Sequence, residues 1–434
     1  MNSQSTSQSR SQFTAELFQN SYLPMGASEV NAIMTVTANS DQAIPGGSSS
    51  SERLFGMICD VSGSMTGHKI EAAKAALIKV VQLLPTDSSF FIVTGCGHAN
   101  LVVPVLAASA ENKQQAVRAI GQIKASGGTL ISTWLTAALA EFKKKPAAIR
   151  QALLLTDGQN DDSDSSRLAT ILQQCEGVFQ CDCRGVGTDW RVKQLQQISN
   201  QLLGSTDIIP EASGLEADFQ TILQQAMGKS LNEVSLRLWM PQGATLLFCK
   251  QVSPEIVDLT PRAQPVTAQI TDYPTGAWSR IESRDYHFCI QVKPGNLGDE
   301  MLAGRASLIC KIDGTETKIA EARILAIWTD DEAKSAKIDR HVAHYTGQAE
   351  LSDSIQEGIE ARERGQIDVA TAKLGRAVQL AHESGNESTA KLLRQVVDIE
   401  DAATGTVRLK RNVAKADSMA LETRSTKTTR IPKS

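Results

Sequence analysis

The chain has 434 residues, too many for one ordinary domain, so two to four are expected. A formal net charge of −4 is mild and argues neither for nor against nucleic acid globally, so any basic patch must be local. Aromatic residues at 4% are too sparse for a platform that stacks single strands, whereas 41% hydrophobic residues suffice for packed cores.

Residues 1–12, MNSQSTSQSRSQ, are polar and read as disordered. They lack the apolar centre of a signal peptide, and no run approaches the ~18 apolar residues of a membrane helix. A soluble, cytoplasmic protein without membrane insertion or nucleic acid is therefore expected. Two strand-like pieces, FTAELFQ and EVNAIMTVTA, occupy 13–50. Val30, Ala32, Met34 and Val36 alternate in the second, and a Pro/Gly/Ser linker follows at 45–53. From 53 to 228, apolar strands such as LFGMICDV and QALLLTDG alternate with helices such as KIEAAKAALIKVVQLL. This predicts an α/β domain with a doubly wound, mostly parallel sheet, whose functional edge is the carboxyl end of its strands. Residues 229–330 turn to period-two alternation, as at Val234, Leu236 and Leu238, at Tyr286, Phe288 and Ile290, and at Ala306, Leu308 and Cys310. The strands of 13–50 are too few to stand alone, so they join this later set, and the α/β domain interrupts an antiparallel β-sandwich. Residues 331–405 read as a small helical bundle punctuated by Gly365 and Gly385, with Ala370, Leu374, Ala377 and Ala381 on one face. From Val407 on, the segment 406–434 carries eight Lys and Arg against Asp417 and Glu422, and reads as a flexible basic tail.

The eight cysteines are scattered through strand-like runs and read as free, buried thiols; Cys181-Asp182-Cys183 lacks a second pair for zinc. AMGKS, ending at Ser230, has Leu223 where a phosphate loop needs glycine, so no nucleotide site is expected.

The chemistry collects around CDVSGSMTG. Asp60 ends an apolar strand, and Ser62 and Ser64 follow at alternate positions. Thr129, in SGGTLIS, precedes a helix; Asp157, in LLLTDG, ends another apolar strand. All should meet at one edge of the sheet. Two carboxylates and three hydroxyls suit a hard divalent cation, Mg²⁺ first, with Mn²⁺ or Ca²⁺ as alternatives. Such a set leaves a coordination position for a partner's carboxylate. The plainer reading is a polar loop capping the next helix. NDDSDSS, from Asn160 to Ser166, offers either a second cation site or acids favoured at a helix start. No G-x-S-x-G elbow or histidine accompanies Ser62, so an enzyme is not expected.

DVSGSM, GGT and TDG, in this order along an α/β domain, resemble the metal-ion-dependent adhesion site (MIDAS) of von Willebrand factor type A (VWA) domains, and all five positions match. The resemblance implies that Ser62, Ser64 and, in one state, Thr129 bind metal directly, that Asp60 and Asp157 act through water, and that an acidic residue of a protein ligand completes the shell. The wider chain resembles bacterial VWA proteins in which the domain interrupts a β-sandwich and is followed by helices and a basic, Thr-rich tail. That implies a non-enzymatic interaction module, a scaffold or regulator beside Ser/Thr kinases, PP2C phosphatases and FHA-domain proteins. The alternative is a structural, assembly or adaptor subunit for a separate AAA-type ATPase. Thr423, Thr426, Thr428 and Thr429 are then candidate phosphosites for FHA docking, Thr428 having Ile431 at +3. The loop TGCGHAN departs from the family in lacking an Asn/Asp turn after a Phe.

Overall fold

The computed structural model describes residues 13–39, 52–312 and 315–431. The stretch 1–12, the linker up to Ser51 and the last three residues lie outside these. Two compact units are formed, one from the described parts of 1–49, 230–345 and 430–434, the other from those of 50–229 and 346–429.

The first unit begins with β1 (Phe13–Gln19), β2 (Tyr22–Pro24) and β3 (Glu29–Asn39). The chain leaves it for the α/β domain, built from β4 (Arg53–Asp60), α1 (His68–Leu83), β5 (Ser88–Gly95), β6 (Ala99–Ala107), α2 (Ala110–Gly121), α3 (Ile131–Phe142), β7 (Ile149–Thr156), α4 (Ser165–Cys175), β8 (Gln180–Val186), α5 (Val192–Gln201), β9 (Thr206–Ile209) and α6 (Leu215–Gly228). It returns as β10 (Lys229–Trp239), β11 (Thr245–Ser253), β12 (Val257–Asp258), β13 (Gln264–Thr267), β14 (Ile270–Ser279), β15 (Ile281–Gln291), β16 (Glu300–Ile312) and β17 (Thr315–Thr329). After the short α7 (Glu332–Ser335) come α8 (Arg340–Glu363), α9 (Ile367–Glu383), α10 (Glu387–Val396), the hairpin β18 (Val397–Asp401) and β19 (Thr406–Leu409), and α11 (Lys415–Arg424).

In the first unit two sheets, ordered β1-β3-β15-β11-β12 and β13-β14-β10-β16-β17-β2, sandwich one core. The early strand β3 lies antiparallel between β1 and β15, so the α/β domain is indeed an insertion. Alternation decides which side chains face inward: Val30, Ala32, Met34 and Val36 meet Val234, Leu236, Leu238, Tyr286, Phe288, Ile290, Ala306 and Leu308 in that core. One pairing breaks the antiparallel rule, since β2 runs parallel to β17.

The α/β sheet has the order β6-β5-β4-β7-β8-β9, parallel except for β6 at one edge. Its central strands are buried on both faces, which is why they read as continuous apolar runs. On one face α1 packs through Ile70, Ala73, Ala76, Leu77, Val80 and Val81, the three-to-four spacing of a helix stripe. On the other face α3, α4 and α5 close a second core around Trp134 and Phe142. Chain order reverses at β4, which leads to β5 on one side and has β7 on the other. The crevice beyond the carboxyl ends of β4 and β7 is thus the switch point where such sheets place their sites.

The expected division of the C-terminal part needs correcting. The bundle 331–405 does not stand apart, because 346–429 form one unit with the α/β domain. Nor is 406–434 a flexible arm over its described part. Leu421 is buried with Leu374, Ala377, Ala381 and Leu393, while Met419 and Ala420 join the core of α3, α4 and α5. The physical reason is pairing: Arg424 Nε and Lys427 Nζ reach Asp207 on β9 at 2.8 and 2.6 Å. The charges that suggested solvation are matched by a carboxylate more than two hundred residues earlier. The glycines did mark helix ends, with Gly365 and Gly385 in the left-handed region (φ 73° and 63°) just beyond α8 and α9. All eight cysteines are free and buried, Cys181 and Cys183 within β8.

Candidate metal centre

Asp60 is the last residue of β4 and is wholly buried, 0% exposed. Its Oδ1 accepts the Ser62 N–H at 2.7 Å, which turns the chain away from the strand. Its Oδ2 accepts the Thr156 hydroxyl at 2.5 Å from the end of neighbouring β7. The turn runs on through a short 3-10 segment at Gly63–Met65, and Gly67, at φ 86°, delivers the chain into α1.

The next residue after β7 is Asp157, also 0% exposed. Ser64 Oγ donates to Asp157 Oδ1 at 2.7 Å, and the Ser62 and Ser64 hydroxyls lie 3.0 Å apart. A continuous polar chain therefore joins Asp60, Ser62, Ser64 and Asp157. Thr129 arrives on the loop before α3, which is sewn to the Asp60 turn by Gly63 N–H to Gly127 O at 2.9 Å and Ser126 N–H to Val61 O at 2.6 Å. Gly158 locates the point where the groups converge. A Cβ there would lie 3.4 Å from Thr129 Oγ1, 3.5 Å from Ser64 Oγ and 4.0 Å from Asp60 Oδ2. All five residues singled out from the sequence thus line one small space, buried carboxylates below and the exposed Ser64 at the rim.

This donor set fits a hard divalent cation, being all oxygen with two carboxylates. Among the described residues no group of three or more His, Cys, Asp or Glu is placed to hold a metal, so any ion here depends on the hydroxyls. Burial pushes the Asp60 carboxyl up; hydrogen bonds from Thr156 and Ser62 oppose this and the Asp157 charge adds to it. The same burial, with both carboxylates beside it, pushes the Cys59 thiol up, which keeps it protonated and inert.

Two contributors escaped the sequence reading. Thr156 holds Asp60, and its position directly before Asp157 at a strand end was the available signal. Lys69, in the first turn of α1, places Nζ 2.5 Å from Asp157 Oδ2. A cation at the positive end of a helix is unfavourable by itself, and that misplacement was the clue.

The acids of NDDSDSS have other employment. Asp164 accepts Ser132 N–H at 2.9 Å and also the Ser132 hydroxyl, at the start of α3. Asp161 caps the 3-10 turn through Ser163 N–H, and Asp162 meets Arg191 at 3.0 Å. Asn160 Oδ1 accepts Ile131 N–H at 2.8 Å. These are caps and an ion pair, the plainer of the two readings. The tail threonines are nowhere in this centre. Thr423 is 1% exposed, out of a kinase's reach on the folded chain, which corrects its candidacy; Thr426, Thr428 and Thr429 are half-buried.

Comparison with known proteins follows the same outline. A family model described as von Willebrand factor type A domain matches residues 57–208, and a second, described as von Willebrand factor type A C-terminal domain, matches 379–425. The second match spans the end of the segment expected to be bundle and most of the segment expected to be tail. A solved structure described as von Willebrand factor type A from Catenulispora acidiphila is similar over 98% of this chain and 99% of its own, with 43% identity and a TM-score of 0.91. An uncharacterised protein of Synechocystis is 28% identical over 49% of this chain, and heavy chain 4 of the mouse inter-alpha-trypsin inhibitor 27% identical over 41%. The matches span 52% of the Synechocystis protein and 20% of the mouse one.

Proposed function

We propose, from the premise that this chain belongs to the von Willebrand factor type A family, that it captures a protein partner through a divalent cation held at the carboxyl edge of its α/β sheet. Type A domains mediate protein–protein interaction, often with a metal; the acidic-residue ligand and the ion's identity are the reading offered here. Ser62, Ser64 and Thr129 would hold Mg²⁺ directly, and Asp60 and Asp157 through water. The ion would supply Lewis-acid affinity for a partner's Asp or Glu. The observation that carries the reading is the convergence of Thr129, Ser64 and Asp60 in front of Gly158 at the switch point of the sheet.

The chain's own residues do the positioning. Thr156 and the Ser62 N–H fix the Asp60 carboxylate, and Ser64 aligns Asp157. Groups held this way lose little freedom on binding, which favours affinity. A place in kinase, phosphatase and FHA signalling rests on the family resemblance and on Thr426, Thr428 and Thr429. No observation favours the adaptor role beside a separate ATPase.

The test is affinity purification of wild type and Asp60→Ala in Mg²⁺ or EDTA, with mass spectrometry. Proteins recovered only by wild type in Mg²⁺ are the expected result; equal recovery in all four arms would sink the reading. Circular dichroism must show the variant folded, since it leaves the buried Thr156 hydroxyl only the longer contact to Gly158 O at 3.2 Å, at a cost of about 1 kcal/mol.

A further inference from the structure

Two carboxylates, Asp60 and Asp157, lie fully buried at the floor of the centre. Ions removed from water need compensation. Asp60 obtains it from a backbone N–H and a hydroxyl. Asp157 obtains it from Ser64 and from the Lys69 ammonium at 2.5 Å. Among the described residues Lys69 is the single cation paired with either carboxylate. It does so from the first turn of α1, where the helix dipole opposes a positive charge. Its ammonium also lies beside Gly187, just past β8, where a Cβ would sit 4.0 Å from Nζ, an ordinary contact. The Lys69 side chain is 20% exposed, so its four-carbon stem can carry the charge out to solvent while Asp157 stays fixed.

A divalent cation held by Ser62, Ser64 and Thr129, with Asp60 and Asp157 reached through water, would draw on the same carboxylate charge. Two cations on one buried carboxylate repel strongly in a low-dielectric floor. We propose that Lys69 is a built-in counter-ion that competes with the divalent cation for Asp157, and so sets how much free metal is needed to load the centre. The inference rests on the metal-centre reading above and deepens it. Without metal Lys69 offsets one of the two carboxylate charges of the floor, so it weakens metal binding and would give up its contact with Asp157 as an ion enters. Loading then exposes a free ammonium at the rim, next to where a partner's carboxylate would dock.

The experiment is calorimetric titration of the full chain with MgCl₂ and, separately, MnCl₂ at constant ionic strength. Wild type is compared with Lys69→Met, Lys69→Gln, Lys69→Arg and Asp60→Ala. Lys69→Met should bind both ions about tenfold more tightly, by a similar factor because the competition is one of charge. Lys69→Gln guards against a folding defect in Lys69→Met and should show the same gain. Lys69→Arg, with its charge retained, should show none. Melting supplies a second readout: in EDTA Lys69→Met should melt below wild type, and metal should raise its Tm by more. If the neutral variants bind metal no more tightly than wild type, the competition is refuted while the metal centre stands. If wild type and the neutral variants all fail to bind either ion, the metal-centre reading falls and takes this inference with it.

Discussion

The candidate metal centre and the C-terminal segment both looked like polar stretches set beside helices, yet the fold places them oppositely. At the candidate centre, residue type and strand context together were enough to bring the five side chains to one edge. Asp60 ends β4 and Asp157 directly follows β7 at the switch point, and parallel strands deliver their carboxyl ends to one edge. In the C-terminal segment residue type misled. Eight basic residues suggested a solvated arm, but Arg424 and Lys427 are matched by Asp207, and Leu421 is buried in a core. A charge pattern alone does not tell whether its counter-charge is water or a distant carboxylate.

The comparison can be tested hardest at Gly158. Gly158→Ala removes no oxygen but sets a methyl 3.4 Å from Thr129 Oγ1 and 3.5 Å from Ser64 Oγ, contacts the fold tolerates. Mg²⁺ binding should fall at least about tenfold with Tm moved by less than about 4 °C, read by calorimetry and thermal melting. Wild-type binding by this variant would place the ion elsewhere.

Next in size is the clamp on Asp207. Arg424→Ala with Lys427→Ala leaves a largely buried carboxylate unpaired and should cost about 2 kcal/mol in urea unfolding, with faster proteolysis beyond β19. Burial works to raise the Asp207 carboxyl, but Lys427 and Arg424 outweigh it and hold it below the ordinary range. A depressed acid contributes stability above its unfolded pKa and loses it as pH falls through the folded one. The gap between wild type and variant should therefore close in acid below about pH 4. A gap independent of pH would argue against the ion pairs.

Glu422, two residues from Arg424, has the opposite sign. Burial, then the neighbouring Glu363, pushes its carboxyl up to about 7, with Lys193 opposing and Glu360 adding. The folded state holds this proton more tightly than the unfolded chain, so stability should decline as pH rises from about 4.5 to 7. Glu422→Gln should flatten that decline and be more stable than wild type at pH 8 by about 1 kcal/mol, discounted for partial exposure. Parallel pH profiles would refute it. The smallest effect belongs to Thr423, whose buried hydroxyl has no hydrogen-bond partner among the described residues. Thr423→Val should stabilise by up to about 1 kcal/mol, where a displayed phosphosite would show no change in unfolding.

Much of the fold was legible because periodicity reports burial directly. Period-two runs at Val30–Val36 and Tyr286–Ile290 placed the sandwich strands, and continuous apolar runs placed the central strands of the α/β sheet. The five oxygen-bearing residues were legible because each stands at a strand end or a helix start, where a side chain faces the crevice. Lys69 and Thr156 were harder to read, since the clues at a helix start and a strand end acquire meaning only once the opposing carboxylate is in place.

The amino-acid sequence by itself determined the class of the sandwich and α/β segments, the interruption of the sandwich and the oxygen-bearing side chains of Asp60, Ser62, Ser64, Thr129 and Asp157 at one edge. Only the tertiary structure decided which charges are paired. Hydrophobic periodicity is a local property carried by neighbouring residues, whereas an ion pair such as Lys427 with Asp207, or Lys69 with Asp157, exists only once the fold brings distant positions within about 3 Å.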